Sequence, residues 1–161
     1  MPILDIQGTI IDFPNSSAAP NWSPAIIQFA ESVASALSSL VGPYDVVPQQ
    51  FILTSVPDSL DTALTNLSFS NTQVRCAFIY YAVYRNTNTT TVSEAGLLTV
   101  VYNESQASGL KWQMLRESDS DALVTFSIDD TGQVFINTQS ISGTGYNGFI
   151  DYRAQTLQNT Y

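Results

Sequence analysis

The stretch that decides the fold is residues 73–85, QVRCAFIYYAVYR. Its alternate positions are apolar on both sides, with Phe78 and Tyr80 on one side and Ile79 and Tyr81 on the other. Because successive side chains of a strand point to opposite faces of the sheet, this run predicts a central strand that is buried on both sides. The tyrosines that we expect in the core are Tyr80, Tyr81 and Tyr84.

Shorter β-like segments surround this strand. Further strands are predicted at residues 51–54, 63–69, 92–102, 110–116, 122–128, 133–137 and 147–154. Residues 129–132 (DDTG) and 142–145 (SGTG) predict tight turns, since Asp, Ser and Gly favour turn conformations. Strands that recur at roughly 8–12 residue spacing with turns between them indicate a mainly β fold. The prediction is an antiparallel β-sandwich or jelly-roll-like domain of about eight strands with one N-terminal amphipathic helix.

The first 42 residues have a different pattern. Residues 3–13 alternate and predict one strand, with a bulge or bend at Gly8. A helix is predicted over residues 25–41, because Ser23-Pro24 suits its start and Gly42-Pro43 suits its end. We therefore expect an attachment or oligomerisation segment at residues 1–42 and a β-sandwich domain at residues 43–161.

One side of the predicted helix is apolar. Its stripe consists of Ile26, Ala30, Val33, Leu37 and Leu40. The opposite side carries one glutamate, Glu31, and several serines, whereas a solvated helix face normally carries several charged pairs. Two packings remain open: against the chain's own β domain, or against copies of itself in a trimer or larger ring. The stripe is our candidate oligomer interface.

The composition excludes several classes of function. The chain has no histidine, one cysteine, five basic and fourteen acidic residues, and a net charge of −9. Without histidine the usual general base is missing, so we expect no enzyme, no catalytic residue, no metal and no cofactor. The few basic residues disfavour nucleic acid and anionic membranes as partners. Cys76 is predicted to be buried and inert, and the start of the chain does not predict a signal peptide.

Two groups of residues are candidates for ligand binding. The acidic run Glu117–Asp121 is either a calcium-binding loop or a solvated loop of an acidic protein. Trp112 and Tyr146 are candidate ligand aromatics, since flat rings can stack on sugars.

Several segments after residue 73 resemble a pattern in small virion proteins of tailed bacteriophages. They are residues 94–100 (EAGLLTV) with Tyr102-Asn103, residues 124–128 (VTFSI), residues 132–135 (GQVF) and residues 143–157 (GTGYNGFIDYRAQTL). The lead-in to the helix, Asn21-Trp22-Ser23-Pro24, is also similar to the corresponding part of such proteins. The resemblance covers close to half of the chain and includes no catalytic residue. It implies an oligomeric virion component on a β-sandwich scaffold.

The leading hypothesis is therefore a non-enzymatic structural component of a bacteriophage virion, used in capsid decoration, a fibre or the tail. Its expected partners are copies of itself, with a trimer favoured, and other virion proteins. A host surface glycan is a further candidate partner. The alternative hypothesis is a lectin-like β-sandwich module that binds a carbohydrate or receptor.

Overall fold

The computed structural model describes residues 3–6, 9–12, 28, 30–33, 35, 41–53, 60–105 and 111–158. For residues 3–6 and 9–12 it describes the backbone. The chain divides into two compact units, residues 1–43 and 44–161.

The first unit begins with two short antiparallel strands, β1 (Ile3–Ile6) and β2 (Thr9–Asp12). Ile6 lies opposite Thr9, so the chain reverses between these residues. A reversal over two intervening residues is the commonest form of β-hairpin. The prediction of one strand over residues 3–13 is therefore wrong. Gly8, the predicted site of the bend, lies outside the described residues.

The helix of the first unit is shorter than predicted. Residues 28, 30–33 and 35 are helical, and the Ser32 hydroxyl donates a hydrogen bond of 2.7 Å to the carbonyl of Gln28. Val41 lies in a bend, so the helix ends before it. Pro43 gives a physical reason, because a proline ring clashes with the carbonyl four residues earlier in a helix. The helix follows a hairpin and is not N-terminal, and none of the helical residues described belongs to a segment long and apolar enough to cross a membrane.

The second unit is mainly β and antiparallel. Its strands are β3 (Val46–Ile52), β4 (Thr62–Ser68), β5 (Val74–Asn86), β6 (Thr91–Tyr102), β7 (Trp112–Ser118), β8 (Val124–Ile128), β9 (Gln133–Thr138) and β10 (Asn147–Gln158). Five strands form one sheet in the order β3-β10-β5-β6-β7, and three form another in the order β4-β9-β8. The long strand predicted from residues 73–85 is confirmed as β5, at the centre of the larger sheet.

Strands β3 and β10 are longer than the sequence predicts, because each pairs with a segment distant in the chain. β3 begins at Val46, several residues before the predicted strand at residues 51–54, because it pairs along one edge of β10. β10 runs to Gln158, beyond the predicted end at residue 154, because its other edge pairs with β5 as far as Val74. Both predicted turns are confirmed by glycines with positive φ, Gly132 (84°), Gly143 (113°) and Gly145 (69°).

Both sheets contribute to one hydrophobic core. The larger sheet supplies Ile79, Leu98 and Ile150, each with no exposed surface, and the smaller sheet supplies Val134 and Ile136, also with none. Burying one such aliphatic side chain contributes about 1.5–3 kcal/mol relative to leaving it exposed. The apolar alternation of the strands therefore places side chains from both sheets in one core.

A buried polar network lies within this core. Glu94 is 3% exposed and forms an ion pair with Arg116. The Tyr81 hydroxyl donates a hydrogen bond to the same Glu94 carboxylate, whose other oxygen accepts a 2.8 Å bond from the backbone N–H of Ala122. The Arg116 guanidinium also donates to the carbonyl of Val124, at 2.7 Å. The network joins the larger sheet to β8 of the smaller one.

We expect this unit to lose stability as the pH rises from about 10 to about 12. Burial, and then the hydrogen bond to Glu94, raise the pKa of Tyr81 to about 12, whereas tyrosine in an unfolded chain has a pKa near 10. The Tyr81 hydroxyl therefore stays protonated to a higher pH in the folded state than in the unfolded state. This contribution to stability is complete below pH ~10 and disappears as the pH passes ~12. Urea-unfolding midpoints should fall more steeply over this range in the wild-type chain than in Tyr81→Phe. Tyr80→Phe, at an exposed position, should follow the wild type. Equal slopes for all three chains would contradict the assignment.

Candidate interaction face

Alternate residues of β5 differ sharply in exposure. Ile79, Tyr81 and Val83 point into the core and are at most 4% exposed, whereas Tyr80 is 41% exposed. The prediction that β5 is buried on both sides is therefore wrong, as is the prediction that Tyr80 is a core residue. The core position of Tyr81 is confirmed, and Tyr84 is half-buried on the other side of the strand. Sequence alternation could not distinguish the two sides, because both are apolar.

We call the side of the five-stranded sheet that carries Tyr80 the outer face. Its most exposed apolar residues are Ile52, Tyr80, Val101, Leu115 and Leu157, which are between 40% and 60% exposed. Its half-buried members include Cys76, Phe78, Tyr84, Leu97 and Phe149. These residues come from all five strands, and the register places them side by side. Soluble monomers rarely expose an apolar patch larger than a few hundred Å², so this face has the character of an interaction surface.

A row of shorter side chains crosses the outer face and forms a groove. Asp151 pairs with Gln50 on one side and with Ala82 on the other, and Ala82 pairs with Ala95. One flanking ridge consists of Arg153, Tyr80 and Leu97. The other ridge consists of Ile52, Phe149 and Tyr84. A concavity of about 460 Å³ lies over the part of this row formed by β3, β10 and β5.

The groove contains polar groups at its centre. Gln50 Nε2 donates a 2.9 Å hydrogen bond to Asp151 Oδ1. The Arg153 guanidinium lies 5.1 Å from the centroid of the Tyr80 ring, within the range of a cation–π contact. In the described part of the chain, Arg153 has neither an ion-pair nor a hydrogen-bond partner. The positive charge of Arg153 is therefore available to a partner that binds the outer face.

Sequence reasoning did not single out Asp151 and Arg153. A signal was present, because they alternate with the apolar Ile150 and Tyr152 in β10. That alternation shows one polar side of a strand, but it does not show that neighbouring strands make the same side apolar. Only the register with β3 and β5 places these two charges inside an apolar face.

Trp112, predicted as a ligand aromatic, is a core residue. It is 1% exposed, and its ring centroid lies 5.1 Å from that of Tyr102 and 6.3 Å from that of Phe69. The prediction of a surface tryptophan is wrong, because Trp112 pairs with Tyr102 on the inward side of β6 and β7. Its indole N–H is buried and has no hydrogen-bond partner among the described residues.

Tyr146, the second candidate ligand aromatic, is half-buried against Arg85. Its hydroxyl accepts a 2.9 Å hydrogen bond from Arg85 Nε, and the guanidinium carbon lies 5.4 Å from its ring centroid. Arg85 has no exposed surface, so the Tyr146 ring covers a buried cation. The structure does not bring Trp112 and Tyr146 together in an exposed site.

The predicted helix interface is described only in part. Ala30 is half-buried and Val33 is 38% exposed. Ile26, Leu37 and Leu40 lie outside the described residues, so the interface stays a prediction.

The acidic run at residues 117–121 closes a loop. Asp119 Oδ1 accepts a 2.8 Å hydrogen bond from the backbone N–H of Ala95, which is the main reason that the pKa of Asp119 is below its usual range. Asp121 Oδ1 accepts a 2.7 Å bond from the N–H of Leu123. No group of three or more acidic, cysteine or histidine side chains suited to a metal ion occurs among the described residues. The two alternatives for this run, a calcium-binding loop and a solvated loop, both stay predictions.

Fold and face together define a mainly β, antiparallel protein with an exposed apolar sheet face. No family model matches the sequence, and a search of curated proteins finds no match. Weak structural neighbours are two phage tailspike proteins. The tailspike of Acinetobacter phage vB_ApiP_P1 is 14% identical with a TM-score of 0.43, over 68% of this chain and 22% of that one. The tailspike of Acinetobacter baumannii phage AM24 is 9% identical with a TM-score of 0.32, over 71% of this chain and 26% of that one.

This chain thus spans about a quarter of the length of each tailspike. Both TM-scores are below 0.5, so these likenesses by themselves assign neither fold type nor function.

Proposed function

We propose that this protein is a non-enzymatic structural component of a tailed-bacteriophage virion, built on a β-sandwich and assembled as a homo-oligomer. The observation that carries the proposal is the apolar outer face, on which Tyr80, Leu115 and Leu157 are between 41% and 60% exposed. The sequence resemblance to small virion proteins of tailed bacteriophages agrees with it. A trimer formed through the helix stripe is the first expectation for the assembly, and the outer face is a second contact between copies.

The physical reason for assembly is the transfer of apolar area out of water. Each Å² of apolar surface removed from water stabilises an interface by roughly 25 cal/mol before the costs of association are subtracted. The outer face lies on a sheet whose strands are fixed by antiparallel pairing on both sides of β10, β5 and β6. Such a face is already ordered before it meets a partner, so little conformational entropy is lost on binding.

The solution mass of the full chain tests the proposal. We expect light scattering to give a multiple of the 17.6 kDa chain mass, about threefold for the favoured trimer, at micromolar concentration. A strictly monomeric species at every concentration would contradict it.

The contribution of the helix is tested separately. Val33→Glu places a charge on the predicted stripe, and Ser32→Glu places the same charge on the predicted polar side. We expect Val33→Glu to lower the mass and Ser32→Glu to leave it unchanged. Equal masses for the two variants would exclude the helix stripe from the interface.

The groove supports a second candidate function, the binding of a host glycan. It joins an exposed aromatic ring, Tyr80, to hydrogen-bonding groups on Gln50, Asp151 and Arg153, and its volume of about 460 Å³ lies within the ordinary range for small-ligand sites. This candidate predicts a monomer whose binding to a glycan array is lost in Tyr80→Ala and kept in Tyr44→Ala. Absence of binding by the monomer would exclude it.

A further inference from the structure

The outer face is nearly neutral although the chain is strongly acidic. Among the residues that strand pairing places on this face, the charged ones are Asp151 and Arg153 at the centre and Glu117 at the β7 edge, a net charge of −1. The exposed Arg75 lies next to Cys76 at the end of β5, where the pairing register shifts. The whole chain has a net charge of −9. Two copies that meet through this face therefore keep most of their negative charge away from the contact. A strongly basic partner would find little on this face to attract it.

The two central charges have a spacing that suits self-association. Asp151 and Arg153 are two residues apart on β10, so their side chains point to the same side of the sheet, about 7 Å apart. A two-fold rotation about an axis that lies between the two faces and runs across the strands brings β10 of a second copy over β10 of the first, in the opposite direction. Arg153 of each copy then lies beside Asp151 of the other. The same rotation also matches the shapes of the two faces. The ridge of Arg153 and Tyr80 in one copy enters the groove over Ala82 in the other.

The size of the face is sufficient for such a contact. Five strands at about 4.8 Å spacing and about seven residues of shared length give roughly 600 Å² per copy, or on the order of 1,200 Å² in total. That total lies at the lower end of the range for specific interfaces. Contact through the β3 edge is less favourable, because Pro48 has no N–H to donate to another strand.

From these observations we propose that the outer face docks onto the outer face of a second copy of this chain, with Arg153 of one copy beside Asp151 of the other. The inference rests on the proposed function, since it names a contact between copies of this chain. Because this contact is two-fold, it joins copies in pairs, whereas the favoured trimer forms through the helix stripe. It adds two specific residues and a specific partner surface.

Charge reversal tests this pairing. Asp151→Arg places two arginines on each face, and Arg153→Asp places two aspartates there. We expect either variant alone to weaken association at least tenfold by analytical ultracentrifugation, because like charges meet across the contact. The double variant Asp151→Arg/Arg153→Asp should associate within about threefold of the wild type, because opposite charges meet again.

Mixing the two single variants separates this contact from effects within one chain. Asp151→Arg also removes the hydrogen bond from Gln50, and Arg153→Asp removes the contact with the Tyr80 ring. Mixing cannot restore either of these, but it brings arginine-bearing faces to aspartate-bearing faces. We therefore expect mixed oligomers from two variants that each fail to associate alone.

Asp61→Arg is the matched control. It raises the net charge by the same amount as Asp151→Arg, and Asp61 is an exposed residue beside Asn137 of β9, outside the outer face. We expect it to associate like the wild type, and circular dichroism should show all variants folded, since every altered side chain is exposed.

If both single variants keep the wild-type mass, or if neither the double variant nor the mixture recovers association, the pairing is overturned while the homo-oligomer stands. A monomeric wild-type chain would instead overturn the proposed function.

Discussion

Arg85→Met is expected to lower the free energy of unfolding by about 3 kcal/mol or more. The Arg85 guanidinium has no exposed surface and donates hydrogen bonds to the carbonyls of Ala122 (2.8 Å), Leu123 (3.1 Å) and Gln139, and to the Tyr146 hydroxyl. Methionine replaces part of the side-chain volume but donates to none of these. A buried acceptor that loses its partner costs about 1–3 kcal/mol. The Ala122 carbonyl is buried and the Gln139 carbonyl partly buried, whereas the Leu123 carbonyl keeps a 3.0 Å bond from the Gln139 N–H. The first two carbonyls and the lost bond to Tyr146 therefore dominate the loss.

The measurement is guanidinium-induced unfolding followed by circular dichroism, at a concentration where association does not contribute. Arg75→Met is the matched control: the same substitution, in the same strand, at an exposed position. We expect it to change stability by less than about 0.5 kcal/mol. Equal effects of the two substitutions would show that the cluster of carbonyls around Arg85 contributes little.

Gly132→Ala is expected to destabilise the unit by a similar amount. Gly132 closes the turn between β8 and β9 with a φ of 84°, and its N–H donates a 3.0 Å hydrogen bond to the Asp129 carbonyl. A Cβ at this position would lie 2.0 Å from the carbonyl oxygen of Phe69. That oxygen belongs to the backbone, and the Phe69 N–H is itself bonded to the Gly132 carbonyl at 3.0 Å. The clash can be relieved only by breaking this link between the turn and Phe69.

Gly145→Ala separates the clash from the conformational cost. Gly145 also has a positive φ, 69°, but an added Cβ would meet nothing within 4 Å. The left-handed conformation alone costs alanine about 1–2 kcal/mol. We therefore expect Gly145→Ala to lose about that amount and Gly132→Ala to lose at least 1 kcal/mol more, by the same unfolding measurement. A loss at Gly132 no larger than that at Gly145 would mean that the backbone moves aside at little cost.

Local sequence signals predicted the parts of the fold that depend on neighbours along the chain. The strand at residues 73–85 and the turns at residues 129–132 and 142–145 were all correct. A strand is visible in sequence through the alternation of its side chains, and a tight turn through residues that tolerate positive φ. The single strand over residues 3–13 failed because two strands joined by a short reversal have much the same alternation as one bent strand.

The burial of individual aromatic residues could not be predicted from local sequence. Trp112 follows Lys111 in a strand with several polar residues, which favours a surface position from sequence. Its pairing with Tyr102 turns the indole into the core instead. Conversely, Tyr80 lies in the most apolar run of the chain and is exposed. In both cases the side of the sheet decides burial, and that side is set by pairing with strands distant in sequence.

The sequence alone determined that this is a β protein with turns at fixed positions and few side chains suited to catalysis. The strands and turns follow from short-range geometry, and the lack of catalytic groups follows from composition. The lack of histidine and the alternation of residues 73–85 belong to this part. Only the tertiary structure decided which apolar side became core, that Arg85 and Glu94 are buried, and that Asp151 and Arg153 lie together in an exposed apolar face. The reason is physical: β-sheet register joins residues many positions apart, and a strand that is apolar on both sides does not indicate which side its partners will cover.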